Sequence, residues 1–162
     1  MTGVQTCALP IWLDGLPDGK GLNIAFEAVD RHVQNGLGDK TAIRWIGKTG
    51  QRRELSYADL ALDTNRFANA LESLGVKPGE RVFVLIGRVP ELYVAVLGAF
   101  KARCVITPLF SAFGPEPIAM RAELGDARVL VTTPELYKPK VKGLRERLPD
   151  RKSTRLNSSH RL

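Results

Sequence analysis

From residue 22 onward the apolar and polar positions follow a period that switches between that of a helix and that of a strand. Leu22, Ala25, Phe26, Val29 and Val33 fall on one helical face. Two short strand candidates follow, Thr41–Ile46 and 51–55, joined by Gly47-Lys48-Thr49-Gly50, which reads as a hairpin turn. Ser56 then stands where a helix N-cap belongs, and Asp59, three residues on, gives a weaker form of the capping box. In the predicted helix Tyr57, Leu60, Ala61, Thr64, Phe67, Ala68, Leu71 and Leu74 form the core stripe, while Asp63, Arg66, Asn69 and Glu72 face out. Gly75 sits just past the end, where a left-handed residue is wanted. Lys77-Pro78-Gly79-Glu80 is a turn, with Pro pre-set and Gly free to take positive φ.

The next stretch is more apolar. Residues 82–86 are a continuous apolar run, as expected of a strand buried on both faces. Pro90–Lys101 is a helix apolar nearly all round and is expected to be buried. Residues 104–107 are a second strand. Pro115–Leu124 is a helix with Pro in its first turn and Gly125 after its end. Residues 129–132 are a third strand, and Thr133 and Pro134 start a further helix that Pro139 should kink. The order β-α-β-α-β-α, with connections of this length, requires a parallel sheet with right-handed crossovers. The expected class is α/β, a mainly parallel sheet flanked by helices with a leading β-hairpin. The last strand, 129–132, should present an unpaired edge, and such edges promote aggregation.

Both ends differ in character. Residues 1–20 are Gly-, Pro- and Asp-containing without helical or strand period, and residues 151–162 are polar and aperiodic, so both are expected to be disordered. Thr2-Gly3-Val4-Gln5-Thr6-Cys7-Ala8-Leu9-Pro10 and Lys152-Ser153-Thr154-Arg155-Leu156-Asn157-Ser158-Ser159-His160 both resemble translated sequencing-adapter read-through. On that reading neither end belongs to the natural protein, and the subdomain is 21–150; natural tails are the alternative.

Charge changes the picture only after its location is read. The net charge is +7 over 162 residues, but the last twelve hold four basic side chains and no acid. Without them 20 basic side chains stand against 17 acidic ones, which leaves no concentrated footprint for nucleic acid. The longest apolar run, 92–100, is far short of the ~20 residues that span a bilayer. The start lacks the positive region of a secretory signal. Cys7 and Cys104 lie far apart without His or Cys at metal spacing, so neither a disulfide nor a zinc site is expected, and the compartment expected is the cytoplasm. Cys104, at the start of a buried strand, is expected to behave as a small hydrophobe rather than a reactive thiol. His32 has Asp30 and Asp39 nearby but no Ser or Cys nucleophile placed by sequence, and reads as a capping or surface histidine at a helix end. Asp59 and Asp63 read as a solvated helix face rather than an acid–base pair.

Several local motifs resemble one family in the right order. Glu54-Leu55-Ser56-Tyr57-Ala58-Asp59-Leu60 is similar to the first core motif of the adenylate-forming (AMP-binding) superfamily. Leu97-Gly98-Ala99-Phe100-Lys101-Ala102-Arg103-Cys104-Val105-Ile106-Thr107-Pro108-Leu109 looks like the second, except that Arg103 stands where the family has Gly. If positive φ is needed there, Arg103 strains the turn. Phe110-Ser111-Ala112-Phe113-Gly114-Pro115-Glu116-Pro117-Ile118, with Val129-Leu130-Val131-Thr132-Thr133-Pro134-Glu135-Leu136, resembles acetate–CoA ligases and short-chain acyl-CoA synthetases more than other members. Asn65-Arg66-Phe67-Ala68-Asn69 and Arg88-Val89-Pro90-Glu91-Leu92-Tyr93 point the same way.

The resemblance implies a two-step reaction. An acetate oxygen attacks the α-phosphorus of ATP, with Mg²⁺, and pyrophosphate leaves; the CoA thiol then attacks the acyl carbon and AMP leaves. That chemistry needs a Gly- and Ser/Thr-rich phosphate loop ending in Lys, whose backbone N–H groups meet the phosphates. It also needs a lysine to stabilise charge at the α-phosphate. Neither segment occurs here: Gly47-Lys48-Thr49-Gly50 is too short, and 111–114 has one glycine. No residue is assigned a catalytic role, and the chain is expected to be the amino-terminal part of such an enzyme, inactive by itself and lacking its carboxy-terminal partner segment. The resemblance implies that Phe110 and Ala112 border the CoA nucleotide, and that Lys138 falls where the family places a phosphate-binding arginine, with Lys140 and Lys142 adding charge. A lysine offers a point charge without the two-pronged contact of arginine. The alternative is that Lys138, Lys140, Lys142, Arg145 and Arg147 are a solvated helix face. Two other readings stay open: a different acyl-CoA ligase of the superfamily, for which 109–118 is the discriminator, or a non-catalytic α/β binding module.

Overall fold

The computed structural model describes residue 13 and residues 15–145. The adapter-like stretches, Cys7, Arg147 and residues 151–162 lie outside the described residues. The fold is α/β: a two-stranded antiparallel hairpin and a three-stranded parallel sheet flanked by helices. The hairpin is β1 (Thr41–Ile46) and β2 (Arg52–Ser56). It is followed by α1 (Tyr57–Ser73), β3 (Arg81–Leu85), α2 (Pro90–Lys101), β4 (Val105–Pro108), α3 (Pro115–Leu124), β5 (Ala127–Thr132) and α4 (Pro134–Lys140).

The sheet order is β4-β3-β5, all parallel, with β3 in the middle. Its central strand explains the apolar run. Successive side chains point to opposite faces, and here they enter two separate cores. Val82, Val84 and Ile86 pack with Phe67 and Leu71 of α1 and Ala95 and Ala99 of α2. Phe83 and Leu85 pack with Ile118, Ala119 and Ala122 of α3 and with Val141 and Leu144 beyond α4. Helices thus cover both faces, as a right-handed parallel connection requires. As expected, β5 lies at an edge, and β4 lies at the other; among the described residues each pairs only with β3.

Helix ends are set by local chemistry. Ser56 caps α1: its Oγ accepts from the Asp59 N–H at 3.1 Å, and the Asp59 carboxylate accepts from the Ser56 N–H at 3.0 Å, a full capping box. Gly75 ends α1 at φ 74°, with its N–H donating to Glu72 and that of Val76 to Leu71. The same closure ends α2, where the N–H of Arg103 donates to Phe100 and that of Cys104 to Ala99. Arg103 there has φ 58°, so the residue that replaces the family's Gly does sit in the left-handed region. Gly98 is small for a different reason: a Cβ on it would come within 2.8 Å of the Thr64 carbonyl oxygen and of the Phe67 ring, so it sets the approach of α2 to α1.

Several expectations are corrected. Leu22 does not join the core face; it is 66% exposed. The Asn23 side-chain oxygen accepts from the N–H groups of Ala25 and Phe26, starting the helix after Leu22 and leaving that side chain outside. The helical segment spans residues 24–37 and is wound widely, with π turns over Phe26–Asp30 and Val33–Leu37. His32 lies inside that segment rather than at its end, with its ring 4.6 Å from that of Tyr57. The helix α2 is not buried all round: Tyr93 is 54% exposed, because one side of the helix faces away from α1 and the sheet. The strands β3 and β4 are each displaced by one residue from the predicted ranges, and β5 begins two residues earlier. Residues 15–21 close a turn of their own, in which the Leu16 N–H donates to Gly21 and the Gly15 N–H to the buried carboxylate of Glu27.

The capping box predicts a pH dependence. Hydrogen bonds from the Ser56 hydroxyl and backbone hold the Asp59 carboxyl below its usual range. A depressed carboxyl stabilises the fold above its unfolded value near 4, and that contribution is lost as pH falls through the lower folded value. Asp59→Asn should therefore cost roughly 0.5 kcal/mol at pH 7, a small figure because the site is exposed and screened. Urea unfolding should show that difference shrink progressively as pH falls below about 4. At the end of α2, Arg103→Gly should stabilise by about 0.5 kcal/mol, since relief of left-handed strain exceeds the entropy that Gly adds to the unfolded chain. A lower urea midpoint would contradict that reading.

Candidate functional site

The parallel strands deliver their connecting loops to one edge of the sheet. From β3 the chain turns toward α2 on one face; from β4 and β5 it turns toward α3 and α4 on the other. Such a parting at the carboxyl ends of the strands is the usual ligand position in open α/β sheets. The candidate residues are drawn from the loop after β4 and from α4, which follows β5.

The loop after β4 is anchored at its start: the Leu109 N–H donates to the Val84 carbonyl at 2.8 Å, and Leu109 is buried. Phe110 follows with its ring 63% exposed, and Ala112 is exposed. The loop closes on itself through the Phe113 N–H, which donates to the Phe110 carbonyl at 3.0 Å. The Phe110 and Phe113 rings meet edge to face, with centroids 5.8 Å apart, a favourable geometry for two quadrupoles. The Arg121 guanidinium from α3 lies 4.3 Å from the centre of the Phe113 ring. Periodicity on α3 did not single out Arg121; its role depends on a ring eight residues earlier.

The second contributor is α4. Pro139 has no N–H to return to Glu135, and the helix ends one residue later at Lys140. Lys138 is exposed. Lys140 is partly buried, and its ammonium donates to the carbonyls of Ser111 at 2.5 Å and Phe113 at 2.9 Å. The structure therefore brings Lys140 to the loop that carries Phe110 and Ala112. The Lys142 and Arg145 side chains are exposed. Glu135 stands one turn before Lys138. Its own backbone N–H and the Thr133 hydroxyl hold its carboxyl below the usual range, with a smaller pull from Lys138.

No group of three or more His, Cys, Asp or Glu side chains gathers in a way that could hold a metal among the described residues. Among the described residues no helix is long and apolar enough to cross a membrane.

An α/β domain with a leading hairpin and a three-stranded parallel sheet flanked by helices is the class defined so far. The family model for the AMP-binding enzyme matches residues 29–160. The chain belongs to that adenylate-forming family. It is 39% identical over 121 residues to the acetyl-coenzyme A synthetase of Streptomyces avermitilis, covering 75% of this chain and 18% of that protein. It is 36% identical over 114 residues to the 3-hydroxypropionyl-coenzyme A synthetase of Metallosphaera sedula, covering 70% and 17%. Among solved structures, a Brucella canis acyl-CoA synthetase aligns with a TM-score of 0.68 at 32% identity, over 84% of this chain and 23% of that one. A benzoate CoA ligase from Burkholderia xenovorans aligns at 0.66 and 27%, over 76% and 24%. The chain thus spans about a fifth of the length of the curated relatives it matches.

Cys104 is buried, and it packs in the α1–α2 core. Burial, and then the charge of Glu80, push its thiol pKa up. In a Cys7→Ser variant, Cys104 should react with a thiol reagent at pH 8 far more slowly in the folded chain than in urea. Equal rates by absorbance would show the site open.

Proposed function

We propose that this chain is the amino-terminal part of an AMP-forming acetate–CoA ligase, whose whole reaction uses acetate, ATP, Mg²⁺ and CoA in the cytoplasm. The observation that carries the acetate reading is the 36–40% identity to a series of acetyl-coenzyme A synthetases across most of the chain. In this reading the 162 residues supply scaffold and one border of the CoA site. Phe110 offers an exposed ring and Ala112 a small side chain that leaves room beside it. Lys138 places a cation where a 3′-phosphate or diphosphate would gain a charge-assisted hydrogen bond. Lys140 adds positive charge at the same loop. The phosphate-cradling amides and the catalytic lysine belong to the remainder of the protein.

A second reading has a specific observation behind it. The 3-hydroxypropionyl relative matches nearly as well, which supports a short acid with a hydroxyethyl in place of a methyl tail. In either reading the acid is chosen by the remainder of the protein, and these residues serve both acids alike.

The test is acid-dependent pyrophosphate release, measured for the 162-residue chain and for the chain extended through the coding sequence that follows. Release by the extended chain, with a higher kcat/KM for acetate than for 3-hydroxypropionate, is the expected result. The reverse preference selects the second reading. Robust turnover by the 162 residues alone would overturn the assignment of the phosphate cradle to the remainder.

A further inference from the structure

Lys138 and Lys140 lie two residues apart, and charge alone does not distinguish them as phosphate ligands. Their surroundings do. The Lys138 side chain is exposed, with its charge toward water and the Glu135 carboxylate. Lys140 is directed inward, and two of the three donors of its ammonium are committed to the carbonyls of Ser111 and Phe113. Those carbonyls belong to the loop after β4, on the opposite side of β5 and α3 in sequence. The contact is a tether between two segments nearly thirty residues apart, 29 and 27 in the two bonds.

The loop needs such a tether. Between Leu109, held by Val84, and the start of α3 at Pro115, its internal backbone bond is that from Phe113 to Phe110. Carbonyls that bend toward one point repel each other unless a cation sits between them, and the Lys140 ammonium fills that place. It fixes the Ser111 and Phe113 peptide planes, and with them the edge-to-face pair that holds the Phe110 ring outward.

We propose that Lys140 is a positioning residue that sets the conformation of the 110–114 loop, and that Lys138, not Lys140, is the cation free to meet a phosphate-bearing ligand. This refines the CoA-border reading above and rests on it for the identity of the ligand; the tether itself does not.

The experiment has three parts on the 162-residue chain. The first needs no variant. Brief labelling of the native chain with an amine-reactive acetyl ester, read by peptide mass spectrometry, should acetylate Lys140 about tenfold more slowly than Lys138, the scale of a charge-assisted hydrogen bond. The difference should vanish in urea; equal native rates overturn the proposal. In the second, hydrogen exchange of the peptide carrying Phe113 should quicken about tenfold in Lys140→Met, while β3 stays protected, and Lys140→Arg should restore it. Unchanged exchange in Lys140→Met overturns the proposal. If that variant loses protection in β3 as well, the native labelling ratio decides. The third part separates the tether from the ligand reading. CoA added to the wild-type and Lys138→Gln chains should protect Lys138 from labelling in the first and slow loop exchange less in the second. With the first two results obtained and no CoA effect, the tether stands and the CoA border falls.

Discussion

The parallel sheet depends on burying β3 from both sides at once. Each residue from Val82 to Ile86 contributes to one core or the other, and the alternation divides them between α1 and α2 on one face and α3 with the residues after α4 on the other. Removing either helical layer would leave half of the strand against water. Burial of apolar surface stabilises by roughly 25 cal/mol per Å², and here both faces of the strand contribute. It also constrains the chain path: the crossover from β3 to β4 runs through α2 on one face and that from β4 to β5 through α3 on the other, so the loops at the carboxyl ends of β3 and of its two neighbours part to opposite sides.

Around this strand the chain solves the same local problem three times. Each of α1, α2 and α3 ends in a residue of positive φ, yet only the first of these is glycine; the others are Arg103 and Asp126. Aspartate tolerates the left-handed region better than most residues. Arginine does so only because the following strand, pinned by the Val105 N–H on the Glu80 carbonyl and by the Arg103 carbonyl accepting from Gly79, leaves the backbone no other route. The strain lies at the end of α2, and the surrounding sheet holds it in place.

Polar contacts tie the outer elements to this frame. The Lys101 ammonium, 11% exposed, donates to Asp30 at 2.8 Å and to Asn65 at 2.7 Å, joining the leading helical segment, α1 and α2. The Asn23 amide donates to the Phe100 carbonyl at 2.9 Å. The hairpin docks through the Trp45 indole N–H on the Arg88 carbonyl and through Arg53 on Glu91. The last pair is exposed and contributes little energy, so its effect is on orientation. Lys101 is different: its charge is largely withdrawn from water and is compensated by a carboxylate and an amide oxygen, as a buried cation must be.

What the sequence determined by itself was local. The capping box at Ser56, the glycine after α1, the hairpin turn, the position of α2 and α3 and the β-α-β-α-β-α order are all consequences of short-range periodicity and of residues with restricted backbone or side-chain chemistry. Double burial of β3 was legible because an unbroken apolar run admits few other environments. The family likeness followed from short motifs in order. The exclusion of Leu22, the tilted contact of His32 with Tyr57 and the exposure of Tyr93 depend on what lies opposite each residue, which no local window contains. The candidate site shows the same division. Phe110, Ala112, Lys138 and Lys140 were picked by motif and charge. That Lys140 turns inward onto two carbonyls while Lys138 faces water, and that Arg121 caps the Phe113 ring, were decided only when α3, α4 and the loop after β4 packed on one face of the sheet. A cation's partner is fixed by proximity in space, and at separations near thirty residues proximity is a property of the fold.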